Sequence, residues 1–157
     1  TFCPTLVELL AQSDYVMLCC PVTPETENLM GTAQFKAMKN DAVLINLGRG
    51  KLVDQEALVT ALSTNEIGLA ALDVTEPEPL PRDHPLVVPR EDIRGKIIIS
   101  PHQGSATLET RFQMLTMSFD NLLAGLENKR LPWLCKECRG MEGQTEDREM
   151  GTQYYTK

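Results

Sequence analysis

The chain has 157 residues, of which 42% are hydrophobic, and its 22 acidic and 15 basic residues give a net charge of −7. This length and apolar content are sufficient for one domain with a buried core. The acidic balance and the lack of a basic stripe argue against a nucleic-acid partner, and no apolar run approaches the roughly 20 residues of a membrane span.

The five cysteines do not resemble a disulfide framework. Their count is odd, their spacing is irregular, and two adjacent ones lie in a predicted strand, so we expect a reducing, cytoplasmic compartment. The last two form a single C-x-x-C, and a zinc site would need two further ligands. We therefore predict no metal site. The cysteines are Cys3, Cys19, Cys20, Cys135 and Cys138.

The first fifty residues predict two helices and two strands. Residues 6–11 have the pattern of a short helix, and residues 15–20 form an apolar strand that Pro21 closes. Thr32 can cap a helix that runs to about residue 38, and residues 42–46 form the next strand. Helices and strands therefore alternate from the start.

The second strand is followed by Leu47-Gly48-Arg49-Gly50. Two glycines flanking an arginine allow a tight turn and the close approach of a ligand to the backbone. The turn lacks the third glycine of G-x-G-x-x-G, and no glycine stands upstream at P-loop spacing. Neither nucleotide-binding motif is therefore present here.

The middle of the chain continues the alternation. Asp54 can cap a helix through about residue 62, and residues 67–73 form an apolar strand that ends in Asp73. Residues 75–81 contain too many prolines for a helix or a strand. A long loop is therefore expected before the next element.

The last predicted strand leads directly to a histidine. Three isoleucines at 97–99 suit a strand that is buried on both faces, and Pro101 ends it just before His102. Apolar residues then recur at helical spacing over 108–126, whereas residues 132–157 are charged and polar and are expected to be disordered.

Strands alternating with helices predict an α/β fold with a doubly wound parallel sheet. In such sheets ligands bind at the carboxyl ends of the strands. Polar residues cluster after these predicted strand ends, and we expect them to share one edge. They are Arg49, Asp73, Glu78 and His102.

These residue types suit the chemistry of a small 2-oxo or 2-hydroxy acid. His102 can give a proton to a carbonyl oxygen or take one from a hydroxyl, and Glu78 can hold its other ring nitrogen. Arg49 offers a planar fork for a carboxylate. Protein side chains supply no hydride, and a nicotinamide cofactor would fit.

Simpler roles are also open at each position. Arg49 can be a turn residue in a salt bridge, and Glu76 and Glu78 can merely solvate a proline-rich loop. Asp73 can be a cap at a strand end. His84, in Asp-His-Pro-Leu, is expected to be a loop residue.

Several motifs in series resemble the D-isomer-specific 2-hydroxyacid dehydrogenases, and within them the glyoxylate/hydroxypyruvate reductases. The resemblance spans about residues 4–131. Its motifs are Cys20-Pro-Val-Thr-Pro-Glu-Thr26, Ile45-Asn-Leu-Gly-Arg-Gly50, Ala71-Leu-Asp-Val-Thr-Glu-Pro-Glu-Pro79, Asp83-His-Pro-Leu86 and Pro101-His-Gln-Gly-Ser-Ala-Thr107.

The resemblance implies roles for single residues. Arg49 matches the arginine that binds the substrate carboxylate, His102 the acid/base, and Glu78 its carboxylate partner. Further positions match residues that line the nicotinamide half of a site for NAD or NADP. They are Cys20, Leu47, Gly48, Asp73 and Gly104.

The resemblance also sets expectations for the whole chain. Residues 1–131 correspond to the C-terminal part of the dinucleotide-binding domain, and residues 132–157 to a divergent tail. The family's G-x-G-x-x-G and most of its substrate domain are absent from the sequence, so we expect the chain to be inactive alone. The full-length protein is expected to be a homodimer.

Two functional hypotheses remain. The first is an NAD(P)H-dependent reductase of glyoxylate or hydroxypyruvate. The second is a non-catalytic, dinucleotide-sensing interaction module, as in the corepressor branch of the same superfamily. The joint presence of Arg49, Glu78 and His102 favours the enzyme.

Overall fold

The computed structural model describes residues 2–134. They divide into two compact units, one ending at Gly104 and the other beginning at Ser105. The C-x-x-C pair and most of the predicted disordered tail, from residue 135 on, lie outside the described residues. No helix within residues 2–134 is long and apolar enough to cross a membrane.

The first unit is built on a four-stranded sheet in which every neighbouring pair is parallel. The strands follow one another in chain order, β1-β2-β3-β4. The predicted parallel α/β fold is therefore confirmed. The strands are β1 Tyr15–Leu18, β2 Val43–Asn46, β3 Leu69–Leu72 and β4 Ile97–Ile99.

Three short α-helices accompany the first three strands, and their caps are readable in the sequence. Thr5 accepts a hydrogen bond from the N–H of Glu8, and Asp54 caps its helix as predicted by accepting from the N–H groups of Glu56 and Ala57. The helices are α1 Leu6–Gln12, α2 Thr32–Ala37 and α3 Gln55–Ser63, with a 3₁₀ helix at Gly50–Leu52.

The predicted cap of α2 is wrong by one residue. Gly31, not Thr32, occupies the N-cap, because the Gly31 carbonyl already accepts the N–H of Phe35 at 3.0 Å. The Gln34 side chain reaches back to the N–H of Gly31 at 3.3 Å. That contact satisfies one group at the helix start without a hydroxyl at the cap.

Helices α1–α3 bury one face of the sheet. Along β1, β2 and β3 every second residue lies on that face and is buried, from Val16 on β1 to Leu72 on β3. Leu10, Phe35 and Leu58 of the helices are fully buried in the same core. Burial of such a side chain contributes about 1.5–3 kcal/mol. This layer fixes the strands whose ends carry the polar residues.

The opposite face is open, and the expectation that β4 is buried on both faces is wrong. Ile98 is 58% exposed on this face, and Ile99, which pairs with the buried Leu72 on the helix-covered face, is 39% exposed. Strand β4 stands at the end of the sheet order, and helices α1–α3 pack on the face opposite to Ile98. Tyr15 and Met17 of β1 are likewise exposed, at 72% and 55%.

The segment between β3 and β4 contains no helix or strand, as predicted for its proline-rich start. Leu86 and Ile93 anchor it by inserting fully into the core. His84 is a loop residue whose Nδ1 accepts the N–H of Leu86 at 3.2 Å. The loop therefore follows a defined path over the first unit.

The second unit contains α4, Leu108–Leu126, with the bounds that the apolar periodicity predicts. Thr107 caps it by accepting the N–H of Thr110 at 3.2 Å. Beyond the helix, the Trp133 indole donates to Asp120 at 3.1 Å, and the backbone of Trp133 exchanges two hydrogen bonds with the Asn121 amide. These contacts tie the residues after α4 to the helix itself.

Candidate active site

The four strands of the sheet end level with one another. Leu18 pairs with Asn46, Asn46 with Leu72, and Leu72 with Ile99. Cys20, Arg49, Asp73 and His102 each follow one of these ends within three residues. The shared carboxyl edge therefore gathers polar residues from four separate parts of the chain.

His102 and Glu78 are in direct contact at this edge. Nδ1 of His102 lies 2.6 Å from Oε1 of Glu78, and the two side chains are 47% and 40% exposed. A carboxylate accepts hydrogen bonds only, so the ring proton of a neutral His102 belongs on Nδ1. The Nε2 atom is then left to exchange a proton with a ligand.

The backbone at His102 is held in the left-handed region, with φ at +50°. Its N–H donates to the carbonyls of Asp73, at 2.9 Å, and Ser100, at 3.0 Å. Left-handed backbone is uncommon outside glycine and needs support from its surroundings. Here the support comes from the end of β3.

The Asp73 side chain completes that support. Oδ1 accepts the Ser100 hydroxyl at 2.5 Å and the N–H of Gln103 at 2.9 Å, while Oδ2 accepts the N–H of Gly104 at 2.8 Å. The Ser100 hydrogen bond is the main reason why the pKa of Asp73 lies below its ordinary value. Desolvation opposes it, and the two backbone N–H groups and His102 add to it.

Asn46 builds the turn that presents Arg49. Its buried amide accepts the N–H of Gly48 at 3.1 Å and donates to the carbonyl of Arg49 at 2.9 Å. The Arg49 guanidinium donates to the Gly48 carbonyl at 2.8 Å. Within residues 2–134 no carboxylate forms a salt bridge with Arg49. The simpler role of Arg49 as one half of a salt bridge is therefore not observed.

Gly50 brings this turn against the loop that carries Glu78. A Cβ atom on Gly50 would lie 2.1 Å from the carbonyl carbon and oxygen of Thr75 and 2.6 Å from the nitrogen of Glu76. No side chain fits in that space. The two segments are therefore in backbone contact, as close as a glycine permits.

Two cavities open at the edge, and Glu78 lines both of them. The first, of about 480 Å³, is lined by Asp73, Glu78 and His102 together with apolar residues such as Leu80 and Val87. The second, of about 760 Å³, is lined by Glu78 and a further set of candidate residues. That set is Cys20, Leu47, Gly48 and Arg49.

The structure therefore joins His102, Glu78 and Asp73 in one cavity and places Arg49 in a neighbouring one. Gly104 lines neither cavity and contacts Asp73 through its N–H. Three residues of the site carried no signal that sequence reasoning used. The side chain of each forms a hydrogen bond at this edge, either with a backbone carbonyl or with Asp73. The three residues are Asn46, Gln55 and Ser100.

Comparison with known proteins places this edge in a family. The family model described as "D-isomer specific 2-hydroxyacid dehydrogenase, NAD binding domain" matches residues 1–104. The human "Glyoxylate reductase/hydroxypyruvate reductase" is 46% identical over 125 residues, which are 80% of this chain and 37% of the relative. The "Glyoxylate/hydroxypyruvate reductase B" of Enterobacter sp. is 47% identical over 121 residues, 77% of this chain and 36% of the relative.

Solved structures match the fold as well. The TT0316 protein of Thermus thermophilus has a TM-score of 0.74 at 44% identity over 84% of this chain and 42% of that one. The NADPH-dependent glyoxylate/hydroxypyruvate reductase of Sinorhizobium meliloti, in complex with NADP and malonate, has a TM-score of 0.75 at 33% identity. That match covers 87% of this chain and 41% of the other. The chain thus spans a little over a third of the length of the curated relatives it matches.

Proposed function

Since the chain belongs to the D-isomer specific 2-hydroxyacid dehydrogenase family, we propose that it supplies the reacting side chains of an NAD(P)H-dependent reductase. The substrate is a small 2-oxo acid, glyoxylate or hydroxypyruvate, and the product is the corresponding 2-hydroxy acid, which is the D isomer where the product is chiral. The observation that carries the proposal is the 2.6 Å contact between His102 and Glu78 at the carboxyl edge of a parallel sheet.

His102 is the proposed acid/base. Glu78 faces Nδ1, so protonated His102 offers the proton on Nε2 to the carbonyl oxygen of the substrate. The Glu78 carboxylate stabilises the imidazolium before the transfer and holds the neutral ring in one tautomer after it. Acid/base assistance of this kind contributes about 10²–10⁴-fold in rate.

Arg49 is the proposed clamp for the substrate carboxylate. Arg49 lines the second cavity, which Glu78 lines as well, so the two cavities share one member of the acid/base pair. The fork of a guanidinium can donate two parallel hydrogen bonds to a carboxylate. Binding there would orient the adjacent carbonyl towards His102.

The residues around Asp73 fit the carboxamide end of NAD or NADP. An ionised carboxylate has about four acceptor positions, and Asp73 uses three of them for Ser100, Gln103 and Gly104. One acceptor position is left for an amide N–H. When bound, the nicotinamide supplies the hydride that the carbonyl carbon receives. Cys20, Leu47 and Gly48 are proposed to line the same half of the site, and Gly104 to contribute through Asp73.

The chain by itself is proposed to have no catalytic activity. It contains no G-x-G-x-x-G, and a dinucleotide site needs such a turn to hold the pyrophosphate at a helix N-terminus. The whole protein's homodimeric state and cytoplasmic location are proposed on family resemblance alone.

A chimera tests the function directly. Residues 1–134 would replace the matching segment of the human relative, to which this chain is 46% identical. We expect the chimera to oxidise NADH or NADPH when glyoxylate or hydroxypyruvate is added. Residues 1–157 alone should not oxidise either cofactor. A chimera that binds the cofactor but reduces neither acid would contradict the enzyme and favour the dinucleotide-sensing alternative.

A further inference from the structure

Gln55, the first residue of α3, forms a two-point contact with a distant backbone. Its side-chain Nε2 donates to the carbonyl of Glu76, and its Oε1 accepts the N–H of the same residue at 3.2 Å. Because a backbone N–H only donates and a carbonyl only accepts, this pairing also fixes the orientation of the amide. A residue of a neighbouring β-strand would form the same pair of hydrogen bonds with the backbone N–H and carbonyl of Glu76.

The contact holds the loop at a sensitive place. Glu76 lies two residues before Glu78, and no regular hydrogen-bonded element contains either of them. Gly50 touches the same Thr75–Glu76 peptide from the Arg49 turn. The Glu78 loop is therefore held on one side by backbone contact and on the other by the Gln55 amide.

We infer that Gln55 is a positioning residue: its side-chain amide sets where Glu78 stands and thereby keeps Glu78 on Nδ1 of His102. This inference rests on the proposed function for its role in catalysis, although the positioning itself is a property of the folded chain. Helix α3 is anchored by four buried residues and by the Asp54 cap. Gln55 thus fixes the position of the loop, which contains no regular secondary structure, relative to a well-anchored helix.

The test uses the two histidines of the chain, which the structure places in opposite ring environments. His102 Nδ1 faces a carboxylate and carries the proton, whereas His84 Nδ1 accepts the N–H of Leu86 and leaves the proton on Nε2. Long-range ¹H–¹⁵N spectra of residues 1–157, at alkaline pH where imidazoles are neutral, distinguish the two tautomers. His84 is an internal reference for the fold.

Three variants are compared with the unsubstituted chain. Gln55→Ala removes both hydrogen bonds, and Gln55→Glu keeps the size and the acceptor but sets a carboxylate against the Glu76 carbonyl. Glu56→Ala is the matched control, since Glu56 lies in the same helical turn and its side chain is exposed. We expect both Gln55 variants to lose the pure Nδ1–H pattern of His102 while His84 keeps its Nε2–H pattern, and Glu56→Ala to change neither.

A wild-type His102 pattern in either folded Gln55 variant would overturn the inference. Loss of the fold in both, seen as loss of the His84 pattern, would also overturn it, because Gln55 would then stabilise the domain and not position Glu78. The spectra need no cofactor or substrate. An inactive chimera would therefore contradict the proposed function while leaving this inference intact. An active chimera together with a wild-type His102 pattern in the Gln55 variants would contradict this inference while leaving the proposed function intact.

Discussion

The Ser100 hydroxyl donates to Oδ1 of Asp73 across 2.5 Å, and this bond joins the end of β4 to the end of β3. The same carboxylate binds the N–H groups of Gln103 and Gly104, which directly follow His102. The backbone beside the proposed acid/base therefore depends for its support on the Asp73 carboxylate.

This dependence predicts how stability responds to acid. The pKa of Asp73 is lowered below its ordinary 3.8, chiefly by Ser100. Its stabilising contribution is therefore fully present above that value and is lost as pH falls through the lower, folded-state pKa. Ser100→Ala should bring the folded-state pKa of Asp73 closer to the ordinary value, so the acid-dependent loss of stability should be smaller and should be complete at a higher pH. Urea unfolding midpoints across a pH series would measure it, and identical profiles for the two proteins would contradict it.

Gly50→Ala should destabilise the first unit severely. Its Cβ would lie 2.1 Å from the Thr75 carbonyl, which is backbone and cannot rotate away. Overpacking of this kind costs about 1–3 kcal/mol in the free energy of unfolding. Gly31→Ala is the control, because its Cβ meets nothing closer than 3.5 Å and should cost less than about 1 kcal/mol as a poorer N-cap. Equal losses in chemical denaturation would show that the Gly50 contact is not tight.

His102→Gln in the chimera should lower kcat by about 10²–10⁴-fold and leave the cofactor Kd nearly unchanged. The glutamine has no titratable group to give the proton. Stopped-flow absorbance of NADH measures hydride transfer, and His84→Gln is the matched control because His84 lies in a loop and binds backbone. Hydride transfer at the unsubstituted rate would exclude the acid role.

Arg49→Lys in the chimera should raise KM for the 2-oxo acid, because a point charge replaces the bidentate fork. The comparison is Arg90→Lys, which alters a surface pair with Asp92. Inhibition by oxamate reports carboxylate binding without turnover. If oxamate bound the Arg49→Lys chimera as tightly as the parent, another residue would hold the carboxylate.

Local patterns were sufficient to predict much of the fold. Alternating apolar runs predict the four strands, the Asp54 signal predicts the start of α3, and the periodicity of residues 108–126 gives α4 with its observed bounds. The sharing of one edge by Arg49, Asp73 and His102 follows from parallel strands, because their carboxyl ends point the same way.

The remaining features depend on partners far along the chain. Gln55 binds Glu76 at a separation of 21 residues, and Ser100 binds Asp73 at 27. No periodicity encodes such pairs. The exposure of Ile98 also depends on the order of the strands and on which face the helices cover. A run of three isoleucines contains no information on either.

The open face of the sheet has a thermodynamic consequence. Tyr15, Met17 and Ile98 present apolar surface to water on one face of the sheet. A molecule that covers all three at once needs the folded sheet, so it binds the folded chain in preference to the unfolded one. The melting temperature of this chain is then not a constant of its sequence. It should rise with the concentration of any molecule, including further copies of the chain, that can lie against those three side chains.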